Sequence, residues 1–390
     1  MIYVGIDVAK DKHDVHIKDD QGCVLVKHLT IPNNRAGFNR LLATIARFET
    51  DPEQTKIGLK STGNYSDNLR DCLVENSKIV YVLNPSQVNN FRKGLSLRNT
   101  KTDAVDAKAI TDAIMCIPGL KPYCPEVYHK KELKSLTRFL NRRKGEAAKQ
   151  KIFLSKWVAA HFPELTDVKK EIHCATIYAL LEKYQSPRQI ARANEKTLKN
   201  LIKKASHGAC KEELALAIRT AAADSIGHPT EADSFELRLI LKEIKQLQSQ
   251  IKEIEEEILE ISTEEERNLG TIVGVSQIQG ISIAAEIGDI NRFSAPDKLL
   301  AYAGMSPTKS NSGKKQNSKG HIEKHGSKYL RNYLYESATL IWKHNKIFEE
   351  YYNKKTGEGK HFNVVVSHMV RKLVRIIFAM MKSGESFRVA

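Results

Sequence analysis

The order of strand-like and helix-like segments at the start of the chain constrains its fold more than any other feature. Apolar runs joined by short polar turns predict three consecutive strands at residues 2–7, 13–18 and 23–29. The patterns then alternate, with helices at 33–48 and 64–76, strands at 56–59 and 78–83, and a further helix around Val88 and Phe91. A stretch rich in Pro and Gly follows, so we predict an α/β domain over residues 1–125.

Three aspartates stand out in this domain. Asp7 closes the first strand, whereas Asp103 and Asp106 lie three residues apart almost a hundred residues later. Residues three apart share a helix face, so this pair and a strand-end carboxylate can converge. Such clusters suit phosphodiester chemistry, because two Mg²⁺ ions on oxygen ligands can hold both the attacking and the leaving oxygen. The alternative is that Asp103 caps a helix and Asp106 is a first-turn carboxylate favoured by the helix dipole.

The element order has a known counterpart. Three antiparallel strands, then helix, strand, helix, strand and helix, form the order of a ribonuclease-H-like (RuvC-like) domain. That fold keeps its first metal ligand on the first strand, which is where Asp7 lies. We expect this fold for the N-terminal domain, partly by analogy.

Composition indicates the kind of partner and compartment. The chain has 390 residues, enough for two or three domains, and carries 62 Lys and Arg against 46 Asp and Glu, a formal charge of +16. Such a charge suits nucleic acid, since neutralised phosphates release counterions, although ribosomal and membrane-surface proteins share it. The scattered cysteines argue against a zinc module or a disulfide framework. Lacking a membrane-length apolar run or a signal-peptide pattern, the chain is expected to be a cytoplasmic bacterial protein, nucleoid-associated during action, without a membrane partner.

Residues 126–265 predict a helical region that begins with a strongly basic helix. The segment 128–156 reads as one long helix with an apolar stripe, and its other faces carry ten Lys or Arg against two Glu. Like charges on one helix repel unless something neutralises them. We therefore predict that this helix binds nucleic acid, and a merely solvated face is the alternative. The predicted contact residues are Lys134, Arg138, Arg142, Arg143 and Lys149.

The same region ends in an apolar repeat whose spacing alternates between three and four. Its members are Leu237, Ile240, Ile244, Leu247, Ile251, Ile254, Ile258 and Ile261. This pattern predicts a coiled-coil seam. Self-association through the seam is the favoured interpretation, and an antiparallel hairpin within one chain is the other.

Residues 266–390 predict a mainly α-helical C-terminal domain. Glycine-broken turns between short apolar helices over 271–290 indicate a helix-hairpin-helix-like segment, which can aim backbone N–H groups at DNA phosphates. A loop rich in Gly, Ser and Lys follows at 306–320. A helix beginning near Ser327 carries Lys328 and Arg331, both predicted nucleic-acid contacts, and the amphipathic segment 364–381 predicts a core helix.

Two sets of short motifs lie at the two ends of the chain. The N-terminal set is GIDVAK (5–10), STGNY (61–65), NP (84–85) and KTDAVDA (101–107). The C-terminal set comprises residues 280–293, YAGMSP (302–307), SG (312–313) and GSKYLR (326–331). In this order they resemble a family of insertion-sequence transposases that joins a RuvC-like DEDD domain to a serine-bearing transposase domain. That family is related to the Piv invertases and is guided by an element-encoded bridge RNA.

The resemblance implies a mechanism. Asp7, Asp103 and Asp106 would bind a divalent metal, Mg²⁺ or Mn²⁺, and Ser312 would attack the scissile phosphate to form a covalent DNA–protein intermediate. A serine hydroxyl is a poor nucleophile unless a base or metal lowers its pKa, so the metal site and the serine belong together. Lys314 and Lys315 would add positive charge next to the serine. The implied function is RNA-guided DNA recombination.

One position departs from the family pattern. The resemblance implies a glutamate at the end of the fourth strand, where this chain has Lys60. An ammonium group cannot ligate Mg²⁺, and its charge opposes a second metal. We therefore expect this chain to bind its nucleic acids but to cut them poorly or not at all.

The implied partners are target and donor DNA, a guide RNA, and further copies of the chain, as a homodimer that pairs into a tetramer around two DNAs. Two other functions compete with this one. The first is a RuvC-like metal-dependent nuclease or resolvase, which uses water and needs no serine. The second is a catalytically inactive scaffold that binds nucleic acid and in which the aspartates only cap helices.

Overall fold

The computed structural model describes residues 1–49, 51–60, 63–95, 102–123, 128–209, 212–307 and 322–388. The chain forms two compact units, Met1–Val127 and Tyr128–Ala390. The predicted boundary between residues 265 and 266 falls inside the second unit. Among the helices in these ranges, none combines the length and the apolar character needed to cross a membrane.

The first unit is built on one five-stranded mixed sheet. Its strands are β1 (Ile2–Val8), β2 (Lys12–Asp19), β3 (Val24–Pro32), β4 (Thr55–Lys60) and β5 (Ile79–Leu83). They lie in the order β3-β2-β1-β4-β5. The first three strands pair antiparallel, whereas β4 runs parallel to β1 and β5 parallel to β4. This arrangement confirms the predicted mixed α/β domain.

Four helices accompany this sheet within the described residues. They are α1 (Arg35–Ala46), α2 (Asp67–Glu75), α3 (Pro85–Leu95) and α4 (Asp103–Cys116). The predicted segments correspond to these elements with small shifts at their ends. The largest strand shift is in β3, which continues to Pro32 because it pairs with β2 as far as Lys12.

Two glycines allow α4 to lie very close to the sheet. Gly5 of β1 and Gly58 of β4 are neighbours in the parallel pair. A Cβ at Gly5 would lie 2.4 Å from the carbonyl oxygen of Ala107, and one at Gly58 would lie 2.8 Å from the side chain of Ile114. Only glycine permits this approach. This close approach brings the first turn of α4 beside Asp7 and Lys60, which follow Gly5 and Gly58 by two positions.

In the described residues of the second unit the regular elements are helices, apart from an isolated β-bridge. Its helices are α5 (Tyr128–His161), α6 (Leu165–Val168), α7 (Ala175–Lys183), α8 (Pro187–Ala191), α9 (Glu195–Ala205), α10 (Glu212–Ala223), α11 (Glu231–Ile261), α12 (Glu264–Arg267), α13 (Gln277–Ile287), α14 (Pro296–Tyr302), α15 (Lys328–Leu340), α16 (Lys346–Gly357) and α17 (Phe362–Ser383). The single helix predicted at 128–156 is α5, which continues to His161.

The two long helices α5 and α11 pack antiparallel within the chain. The Trp157 indole N–H, near the end of α5, donates to the carbonyl of Asp233 at the start of α11 over 2.9 Å. At the opposite ends, Leu133 of α5 shares a buried cluster with Ile258 of α11. The predicted seam therefore packs on α5 of the same chain. This is the hairpin alternative within one chain, and self-association of the chain stays a prediction.

The C-terminal part contains a large apolar core. Residues 280–287 of α13 are all buried, and α13 begins with a capping box in which Ser276 and Gln279 satisfy each other's backbone N–H groups. The predicted core helix is α17, whose Val366, Val370 and Ile377 are fully buried in the cluster that α13 and α15 also join.

Candidate functional site

The ends of β1 and β4 place a carboxylate and an ammonium group side by side. Ile6 and Leu59 are paired in the parallel ladder, so Asp7 and Lys60 follow at the same edge of the sheet. The Nζ of Lys60 lies 2.6 Å from Oδ1 of Asp7 and 3.1 Å from Oδ2 of Asp106. The three side chains are only 11–14% exposed, so their ion pairs are largely shielded from water.

The start of α4 supplies the second carboxylate. Thr102 is the N-cap, and its hydroxyl oxygen accepts from the N–H of Val105 at 3.3 Å. Asp103 is therefore the first helical residue, which overturns the alternative that it caps the helix. Asp106 lies in the first turn, where its second oxygen accepts from Nη1 of Arg92 at 3.0 Å. Asp106 thus binds two cations at once.

Asp103 lies on the exposed side of the same helix and pairs with a different cation. Its Oδ2 is 3.1 Å from Nζ of Lys12, which is also 3.3 Å from Asp14. The buried Asp14 accepts a hydrogen bond from the Thr30 hydroxyl at 2.6 Å and is hydrogen-bonded to the His28 ring at 2.7 Å. Burial alone would raise the pKa of Asp14, but these partners outweigh burial and lower that pKa.

The electrostatics of the Lys60 cluster follow from burial and pairing. Burial raises the pKa of Asp7, and Lys60 opposes this rise while the Asp106 and Asp103 carboxylates add to it. For Lys60, burial lowers the pKa of the ammonium, but the bonds to Asp7 and Asp106 outweigh burial and raise it. Lys60 therefore remains a cation at neutral pH.

The residues as they stand do not fit a divalent metal ion. Asp7 and Asp106 converge on one cation, which is the geometry that Mg²⁺ needs from a carboxylate pair. However, the ammonium of Lys60 takes that position, and Lys60 and Arg92 together balance the two negative charges. Nowhere in the described ranges do three or more His, Cys, Asp or Glu side chains group closely enough to hold a metal.

Several residues of this cluster were missed by the sequence patterns. Arg92 binds Asp106, and Lys12 binds Asp103. Asp14 in turn binds Lys12. Asp14 carried one usable signal, because β1 and β2 form a tight hairpin in which Asp7 faces Asp14. Arg92 carried none, since its contact with Asp106 depends on how α3 packs on α4.

The predicted nucleic-acid contacts on α5 have different surroundings. Arg142 and Lys149 are exposed, and the guanidinium of Arg142 lies over the Phe139 ring. Arg143 pairs with Glu146 at 2.6 Å, and Lys134 is half-buried. Arg138 instead binds the fully buried Glu286 through two nitrogens, at 2.5 and 3.1 Å.

The remaining predicted residues belong to the C-terminal part. Lys328 is exposed above the Tyr329 ring, and Arg331 donates to the carbonyl of Ala303 at 3.1 Å. Arg331 therefore ties α15 to the end of α14. Ser312, Lys314 and Lys315 lie outside the described residues.

Two segments of the chain match models of transposase domains. Residues 4–163 match the IS110-type DEDD domain model described as "Transposase". Residues 266–353 match the model described as "Transposase IS116/IS110/IS902 family". The chain belongs to the IS110 family of insertion-sequence transposases.

Individual relatives extend over the whole chain. The "Pilin gene-inverting protein" of Moraxella bovis is 20% identical over 390 residues, covering 99% of this chain and 97% of that protein. The "Insertion element IS116 uncharacterized 44.8 kDa protein" of Streptomyces clavuligerus is 25% identical over 402 residues, covering 100% and 96%. A solved structure, "T. thermophilus RuvC in complex with Holliday junction substrate", is 14% identical, covers 32% of this chain and 99% of that chain, and has a TM-score of 0.24. The resemblance seen in the motifs is thus confirmed at the level of the family and its gene-inverting relatives.

Proposed function

We propose that this chain recombines DNA under RNA guidance and that Lys60 restrains its catalytic step. The observation that carries the proposal is the ammonium of Lys60 between Asp7 and Asp106, at 2.6 and 3.1 Å. A cation is already bound where a metal-dependent recombinase needs its metal. The chain accordingly holds its nucleic acids and exchanges strands poorly.

DNA as the substrate is supported by relatives and by charge. The Moraxella relative is named for inverting a gene, which is a rearrangement of DNA, and it aligns with almost the entire chain. The formal charge of +16 favours binding to phosphates. The resemblance adds target and donor DNA, a bridge RNA, and a homodimer that pairs into a tetramer. These partners are part of the proposal.

The proposed chemistry divides between the two ends of the chain. Ser312 is the nucleophile, and Lys314 and Lys315 attract the phosphate it attacks. Asp7, Asp106 and Asp103 would be the carboxylates for Mg²⁺ or Mn²⁺ once Lys60 is displaced, and a DEDD-type domain in general implies a divalent metal. Lys60 has to leave its position before the first two carboxylates can accept such an ion, since an ammonium repels it.

Replacing Lys60 tests this proposal. Lys60→Glu supplies a further carboxylate, whereas the control Lys60→Met removes the charge without adding a ligand. We expect Mg²⁺ binding by calorimetry to be strongest in Lys60→Glu, weaker in Lys60→Met and negligible in the unchanged chain. Strand exchange on a DNA pair with its guide RNA should follow the same order. Equal strand exchange by all three proteins would remove the basis for the restraint.

The same observation favours a second candidate, a scaffold that binds nucleic acid without cutting it. In a scaffold, Asp7→Asn has no effect on function, and Lys60→Glu gains no activity. Ser312→Ala distinguishes the proposed recombinase from the remaining alternative, a resolvase that uses water. A resolvase that uses water keeps its cleavage in this variant, whereas the proposed recombinase loses its covalent DNA adduct.

A further inference from the structure

An open cleft of about 670 Å³ lies between α15, α17 and the two segments that flank residues 308–321. Pro307 and Ile322 form one edge and are joined by an antiparallel bridge. Tyr335 of α15 and Arg371 of α17 also line the cleft. The volume is in the range of pockets that bind a small organic ligand or a nucleotide.

The cleft is positively charged without a compensating acid. Arg371 is half-buried, and Lys324 and His368 also line the cleft. No Asp or Glu is among its lining residues in the described part of the chain, and Arg371 has no carboxylate partner there. The sequence of residues 308–321 contains no acid either. A half-buried arginine without a carboxylate partner is free to bind an anionic group such as a phosphate.

The lowered pKa of His368 also indicates a positive electrostatic potential at the cleft. Burial lowers this pKa, and the charges of Arg371, Lys355 and Lys360 lower it further, opposed by Glu358. The field at the cleft is therefore positive even before a proton is added to the imidazole. A phosphate bound there gains attraction from several cations at once.

Part of the lining of the cleft is apolar. Ile322, Val364 and the ring of Tyr335 line it. The Tyr335 hydroxyl donates to Oδ1 of Asn363 at 3.1 Å, which holds the ring in place. A fixed aromatic ring beside a cation is the pairing that proteins use for single-stranded nucleic acid, with the base on the ring and the phosphate on the cation.

We propose that this cleft binds one nucleotide of a DNA strand, with its phosphate on Arg371 and Lys324 and its base or sugar against Tyr335. The assignment rests on the proposed function, because it makes DNA the ligand. The cleft adjoins both ends of the segment that carries Ser312. Five peptide units separate Ser312 from Pro307, a reach of at most about 18 Å. Pro307, on the edge of the cleft, therefore lies within about 18 Å of the proposed nucleophile.

The test compares binding of a labelled single-stranded DNA by fluorescence anisotropy at several salt concentrations. The variants are Arg371→Gln, which removes the cation, and Val364→Glu, which places a carboxylate in the cleft at a position 46% exposed. Arg238→Gln, on the exposed face of α11, is the charge-matched control. We expect Arg371→Gln to weaken binding about tenfold and to reduce the salt slope by about 0.7, the value for one phosphate contact on a single strand.

Further outcomes decide the proposal. Val364→Glu should weaken binding more than Arg371→Gln, and Arg371→Lys should keep the salt slope of the unchanged chain. All variants should remain folded in thermal unfolding, since none of the substituted side chains is fully buried. If Arg371→Gln and Val364→Glu both bind DNA like Arg238→Gln, the cleft is not a DNA site, while the Lys60 experiments stand. If the variants lose only RNA binding, the assignment to DNA is likewise wrong. If the unchanged chain binds no DNA at all, both proposals fall.

Discussion

Arg138 binds both carboxylate oxygens of Glu286, at 2.5 and 3.1 Å, and so joins α5 to α13. Glu286 is fully buried, and Ser327 at the start of α15 donates a further hydrogen bond to it at 2.9 Å. The guanidinium also lies 4.9 Å from the centre of the Tyr329 ring. One residue of the basic helix therefore has a structural partner that its sequence position does not reveal.

Removing this arginine should destabilise the second unit. Arg138→Ala leaves the Glu286 carboxylate buried without its cation, a change that costs on the order of 3 kcal/mol. Arg142→Ala, one turn later and exposed, should change the free energy of unfolding by less than about 0.5 kcal/mol. Urea denaturation of the two variants provides the comparison. Equal stabilities would show that the pair contributes nothing to folding.

Gly5 should tolerate no side chain. A Cβ there would lie 2.4 Å from backbone atoms of α4, so Gly5→Ala pushes α4 away from β1 and costs about 1–3 kcal/mol. The shift also separates Asp106 from Asp7 and Lys60. In contrast, Gly94→Ala in α3 meets no atom within 4 Å and should stabilise the chain by about 0.4–1 kcal/mol. Thermal unfolding of both variants checks the opposite signs.

Because α5 and α11 pack on each other, we predict that the apolar contacts between them form within one chain. Ile244→Ala, at a fully buried position, should cost about 2–5 kcal/mol, whereas Leu239→Ala, at a position 45% exposed, should cost much less. Because the seam is covered by the same chain, the loss should not depend on protein concentration. Unfolding at two concentrations about tenfold apart measures this. A loss that shrinks at the higher concentration would support the intermolecular seam instead.

The ion pair of Lys60 predicts a pH dependence of stability. A carboxyl whose pKa is raised on folding stabilises the fold most below its ordinary pKa of 3.8, and this contribution is lost as pH rises through the raised pKa. Lys60 opposes that rise, so Lys60→Met raises the pKa of Asp7 further. Relative to the unchanged chain, the variant should therefore lose stability as pH rises from 3.8, the ordinary pKa of the carboxyl, towards neutral.

Urea denaturation across this pH range measures the loss, and the double variant Lys60→Met with Asp7→Asn is the control. With no carboxyl at position 7, the double variant should lose less stability over the same range. A pH-independent difference between Lys60→Met and the unchanged chain would contradict the assigned pKa directions.

Much of the N-terminal domain was predictable because its patterns are local. Alternating apolar residues and turn signals located all five strands, and they placed Asp7 near the end of β1, where the structure has it beside Lys60. The apolar repeat of α11 was equally clear, yet it could not identify its partner. A seam specifies that something apolar covers it, and only the antiparallel packing of α5 decided that the cover is intramolecular.

The sequence by itself determined the order of elements in the N-terminal domain, the family, and the presence of acids at the end of β1 and the start of α4, because these depend on residue type and spacing. Only the tertiary structure decided which charges meet. Lys60 binds Asp7 and Asp106, and Lys12 binds Asp103, because a parallel strand pair and a close helix approach bring together residues far apart in the chain. Charge pairing depends on distances of a few ångströms, which no local pattern encodes.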